Sequence, residues 1–84
     1  MTPAERAKLV EAATRLIGRR TDVQVIEDFT VGCIENRRCL KAEDWDGFAA
    51  INQALRWLED EIDRRFPANA ETIIESAWEI ADRG

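Results

Sequence analysis

Residues 21–40, TDVQVIEDFTVGCIENRRCL, decide between two folds. Val23, Val25, Ile26, Thr30, Val31 and Ile34 are β-branched and Gly32 is a poor helix former, so intrinsic propensity points to strand. Periodicity points the other way. At roughly 100° per residue, Val23, Val25, Ile26, Phe29, Thr30, Cys33 and Ile34 share one arc, with Gln24, Glu27, Asp28 and Glu35 across from it and only Val31 misplaced. A two-residue alternation would bury Glu27 and turn Ile26 and Ile34 to water. Thr21-Asp22 adds a cap. The stretch is therefore read as helix over about residues 22–36, ended by Asn36-Arg37-Arg38; the alternative is an α+β fold with a hairpin within 23–40.

The flanks are plainer. Downstream, Phe48, Ile51, Leu55, Leu58, Ile62 and Phe66 recur at alternating spacings of three and four, the seam of an amphipathic helix over about residues 42–66. Glu43 and Asp44 suit its positive end, Arg64 and Arg65 its negative end, and Pro67 stops it. Upstream, Thr2-Pro3-Ala4-Glu5 starts a helix as a capping box with Pro at its first position. Leu9, Val10, Ala13, Leu16 and Ile17 form its stripe, and Gly18 is its natural exit, giving about residues 3–18. Asn69 caps a last helix over about residues 70–82, whose buried face is Ala70, Ile73, Ile74, Ala77, Ile80 and Ala81. Four amphipathic helices with short links predict an all-α, antiparallel four-helix bundle as one domain, residues 1–84.

Composition narrows the function. With 45% hydrophobic residues and only four Gly and two Pro, the chain can bury a core, though one with little room for a deep pocket. A formal charge of −5 argues against direct nucleic-acid binding, where Lys and Arg must neutralise phosphates, and permits a basic protein partner. No apolar run reaches membrane-spanning length and no export signal is visible, so a cytoplasmic, non-membrane protein with free thiols is expected.

Chemistry is poorly supplied. The chain has no His and no Tyr, and Ser76 is its only serine, so the commonest general base and the Ser–His and Cys–His nucleophile arrangements are missing. No catalytic residue, cofactor or metal is expected. Cys33 and Cys39 offer two ligands where structural zinc takes four, and small buried cysteines usually pack. The pairs Arg19-Arg20, Arg37-Arg38 and Arg64-Arg65 fall at expected helix C-termini, where cations answer exposed carbonyls.

The acidic side is more telling. Glu71, Glu75 and Glu79 follow one another at i,i+4, with Asp82 next; Glu59, Asp60, Glu61 and Asp63 form a second cluster. Like charges at that spacing cost a few tenths of a kcal/mol each, so local stability does not select them. If the last two helices pack antiparallel, the clusters merge into one negative surface, a docking face for something basic; the plain alternative is an ordinary solvated face. Trp57 lies roughly opposite the seam, beside Ala50 and Ala54. It is expected to be covered by the first or last helix, or else to anchor an interface. Trp45 and Trp78 suit semi-buried rims. Asn52 marks the edge of the seam, or fixes register if the seam pairs two chains.

The expectation is a non-enzymatic protein–protein interaction module that binds, and thereby inhibits, a larger basic or nucleic-acid-handling protein. In size and charge, though in no motif, it resembles the inhibitors made by phages and mobile elements, anti-CRISPR proteins among them. The competing expectation is a structural homodimer built on the long-helix seam.

Overall fold

A helix persists where its first N–H groups find acceptors and its apolar stripe finds a neighbour. In the computed structural model, which describes residues 1–84, four stretches meet both conditions. They are α1 (Pro3–Thr14), α2 (Asp22–Ala42), α3 (Trp45–Arg65) and α4 (Ala70–Arg83), with a 3₁₀ turn at Ile17–Arg19 and no strand. The fold is a small all-α bundle. Periodicity thus outweighs β-propensity in residues 21–40, because helical spacing lets Val25, Phe29 and Cys33 of the arc be buried together.

The starts are well answered. Thr2 and Glu5 close one capping box and Thr21 and Gln24 another, and Asp44 accepts from the Gly47 N–H at 3.0 Å. Asn69 holds the N-cap position of α4 without a side-chain bond. Glu43 ends α2 in the left-handed region at φ 54°, its N–H donating to the Cys39 and Leu40 carbonyls.

Three boundaries depart from expectation; α3 starts at Trp45 rather than near residue 42, because α2 runs on to Ala42 and leaves Glu43 as its C-cap and Asp44 as the N-cap of α3. Helix α1 stops at Thr14, not near residue 18, and the chain tightens into the 3₁₀ turn. Arg65 of α3 braces that turn: its guanidinium donates to the Ile17 carbonyl at 2.9 Å and the Arg20 carbonyl at 2.8 Å. Helix α2 runs through Asn36-Arg37-Arg38 to Ala42. Each of those residues has a partner. Asn36 is buried and donates to Asn52 of α3 at 2.6 Å, Arg37 reaches Asp82 of α4, and Arg38 engages Glu35 one turn back. Asn52 therefore links α2 to α3 within one chain.

The core gathers Leu9 and Ala13 from α1, Val25, Phe29 and Cys33 from α2, Ile51, Ala54, Leu55, Leu58 and Ile62 from α3, and three alanines of α4. Helices α2 and α3 form the central antiparallel pair; α1 lies mainly on α3 and α4 mainly on α2. Gly32 sets their spacing, since a methyl there would stand 2.6 Å from Cδ2 and 3.4 Å from Cγ of the buried Leu55. Arg6 near the start of α1 meets Asp44 just past the end of α2, Arg65 at the end of α3 meets Asp22 at the start of α2, and Arg37 near the end of α2 meets Asp82 near the end of α4, so successive helices run in opposite directions. The seam of α3 is consumed by this core.

Several side chains lie elsewhere than expected. Trp57 is 52% exposed, and Trp45, Ile80, Val23 and Ile34 are exposed too. Trp78 is semi-buried, edge-on to Phe29 with ring centroids 6.3 Å apart. Conversely Glu35, expected on the wet side, is 3% exposed. The reason is common to all. Only α1 and α4 cover the central pair, so the sides of α2 and α3 turned away from both stay open whatever the residue, as does the side of α4 that carries Ile80, while Glu35 faces α1.

Candidate protein-binding surface

Carboxylates fall into two groups according to whether the bundle brings them a cation. Glu35 is the hub of the first. It takes the Arg38 guanidinium, lies 3.5 Å from Arg6 Nη2 and 3.7 Å from the Met1 amine, and accepts from the Cys39 thiol. The Arg38 hydrogen bonds hold its carboxyl below the usual range. Arg6 also binds Asp44 at 3.2 Å, and its Nε is buried without a partner. At the other end of the bundle Glu61 accepts from Arg64 and Arg65, which lower its pKa to about 2. Asp28 pairs bidentately with Arg20 at 2.9 Å.

In the second group Glu5, Glu27, Glu43 and Asp46 are scattered, and the other six gather along α3 and α4. Glu59 and Asp60 line a crevice of about 430 Å³ together with Asn52, Leu55, Arg56 and Trp78. On α4, Glu71, Glu75, Trp78 and Asp82 follow at spacings of four, three and four, so Glu71 and Glu75 stand on the side of the helix that Trp78 turns to this crevice. Asp63 sits one turn beyond Glu59, and Glu79 lies farther round, toward solvent. None of Glu59, Asp60, Asp63, Glu71, Glu75 and Glu79 has a Lys or Arg nitrogen within 4 Å, and all are exposed.

Three of the residues expected in this face stand apart from it. Glu61 is committed to its arginines. Asp82 is answered by Arg37 Nε at 2.7 Å. Trp57 lies roughly 200° around α3 from Glu59, so its exposed indole belongs to another side of the molecule. Sequence reasoning missed Arg37, whose guanidinium stacks 4.7 Å from the Trp78 ring centroid and lines the separate hollow between α2 and α4. No local pattern could have shown it, because the contact joins α2 to α4. Arg56 carried a weaker signal, lying one turn before Asp60 on α3.

The cysteines offer no chemistry of the nucleophile type. Both are free and buried; burial pushes the Cys33 thiol up to about 12, and burial with the neighbouring Glu35 raises Cys39. Cys39 lies inside α2, not in a following turn, and six residues put the two thiols on different sides of the helix. No group of three or more Cys, Asp or Glu is arranged to hold a metal ion, and no helix is long and apolar enough to cross a membrane. Comparison with protein-family models, curated proteins and solved structures returned no match.

Proposed function

We propose that this chain is a non-enzymatic interaction protein whose α3–α4 edge docks on a basic surface of a larger protein and blocks it. The observation that carries this reading is the gathering along one edge of six of the ten exposed carboxylates left without an internal cation, in a chain that pairs Glu35, Glu61, Asp28 and Asp82 with its own arginines. Arg56, which lines the crevice with Glu59 and Asp60, offsets the repulsion among them only in part, so a partner that supplies cations gains affinity from both pairing and relief. A nucleic-acid-handling groove fits, since carboxylates in a row would occupy sites that phosphates fill. Inhibition is then steric and electrostatic. The chain itself needs no cofactor and no contact with nucleic acid.

The test is a comparison of the whole chain with Glu71→Gln/Glu75→Gln/Glu79→Gln in capture of the host partner, followed at rising salt. The expected result is at least a tenfold loss of affinity in the variant with an unchanged helical circular dichroism spectrum. Wild-type association should slow as salt screens the surface. Equal affinity of the two proteins would remove the acidic edge from the interface.

A further inference from the structure

The outer face of α2 is covered by neither α1 nor α4, and it has a pattern that the acidic edge does not use. Glu27, Val31, Ile34, Arg38 and Lys41 follow at spacings of four, three, four and three, all exposed, with half-buried Gln24 three residues before Glu27. That is heptad spacing with two apolar residues, Val31 and Ile34, at its centre and polar ones on either side, presented to solvent on a helix of 21 residues. Val31 is 44% exposed and Ile34 47% exposed. Each stands at the lip of a hollow. Val31 borders the apolar crevice of about 380 Å³ between α1 and α2, and Ile34 borders one of about 260 Å³ between α2 and α4.

The seam is palindromic in charge. Reversed about a point midway between Gly32 and Cys33, Val31 faces Ile34, Glu27 faces Arg38, and Gln24 faces Lys41. Neither Glu27 nor Lys41 has an ion pair within the chain, and Arg38 is spent only in part, on Glu35. In a parallel pairing Glu27 would meet Glu27 and Arg38 would meet Arg38. Only the antiparallel arrangement brings opposite charges together, and it does so twice by symmetry.

We propose that two copies of this chain associate about a two-fold axis through the outer faces of α2, packed antiparallel. Val31 and Ile34 of each copy interdigitate at the centre, flanked by Glu27 against Arg38 of the other, with that copy's Lys41 one turn farther out, opposite Gln24 and within a long side chain's reach of Glu27. A single helix pair lies at the small end of the range for specific interfaces, so the dimer forms and dissociates readily in the micromolar range. The α3–α4 edges of both copies stay free, so the dimer would present two acidic surfaces to a bivalent or multimeric partner. This inference does not depend on the acidic-edge reading.

Sedimentation velocity on the full chain from about 1 to 500 μM tests it. Wild type should shift from monomer toward dimer across that range. Ile34→Glu should stay monomeric throughout, and Glu27→Arg should weaken association about tenfold or more through repulsion from Arg38 and Lys41. Adding Lys41→Glu to Glu27→Arg should recover part of that loss. The altered side chains are exposed, and circular dichroism checks the fold of each variant. Register is read separately by mixing Val31→Cys chains with Ile34→Cys chains under mild oxidation. The mixed disulfide should exceed either self-linked product. A wild type that is monomeric at every concentration would overturn the proposal. So would an Ile34→Glu variant that dimerises like wild type, a double variant with no recovery, or cross-linking dominated by Val31→Cys with itself.

Discussion

The surroundings of Glu35 and of Glu75 differ more than any other pair of acidic sites in the molecule. Glu35 is buried among Arg6, Arg38, the Met1 amine and the Cys39 thiol, while Glu75 stands on an exposed face with no cation within 4 Å. Both lie on well-formed helices in a chain with the same net charge. The difference is geometric: α1 crosses the side of α2 that carries Glu35 and brings arginine with it, whereas the crevice side of α4 that carries Glu75 receives no ion-pairing arginine from α3. A carboxylate with buried partners contributes to the fold, and one left open contributes to what the surface can attract.

The largest way to break this comparison is at Glu35. Glu35→Gln removes the charge that Arg6 and Arg38 share and leaves Arg6 Nε in company with more unpaired donors. It should cost about 2–4 kcal/mol, somewhat below the range for a fully buried pair because Arg38 is half-exposed. Urea denaturation monitored by far-ultraviolet circular dichroism measures it. A loss below about 0.5 kcal/mol would mean that the cluster is solvated in solution.

Acid sharpens the comparison next. Glu61 titrates near 2 in the folded chain, against an ordinary carboxylate value of 4.5, and Glu35 is lowered too. A depressed folded pKa means that the unfolded chain takes up protons first. The stability these two groups contribute is therefore complete above about pH 4.5 and lost as the pH falls toward 2. For Glu61 the loss should be on the order of 1 kcal/mol, reduced by solvent screening around the exposed Arg64. Thermal melts between pH 6 and pH 2.5 should show the midpoint falling, and less steeply in Glu61→Gln.

The smallest effect belongs to the open group. Replacing Glu71, Glu75 and Glu79 together by Gln should leave stability unchanged or raise it by about 0.5 kcal/mol, since only repulsion is removed. A clear destabilisation in the same urea titration would show that these glutamates have a structural duty.

Much of the bundle was legible in the residues alone. The seam of α3 reads directly as Ile51, Leu55, Leu58 and Ile62, all buried, and the caps at Thr2 and Thr21 read from their own spacing. Boundaries were less legible where tertiary contacts set them. Asn36-Arg37-Arg38 resembles a helix end until Asn52, Asp82 and Glu35 are seen to hold it. The acidic clusters were visible as residues, but which of them are neutralised was not. Glu61 and Asp63 are two positions apart, and only the first meets Arg64 and Arg65.

What this sequence determined by itself is periodicity: four amphipathic stripes, their polar faces and two of their caps, because those depend on neighbours within about a turn. Which stripes would be covered was decided by tertiary structure, since a helix in a small bundle has more sides than it has neighbours. Trp57 and Ile34 are exposed and Glu35 is buried for that reason, and so the acidic edge and the outer face of α2 remain open.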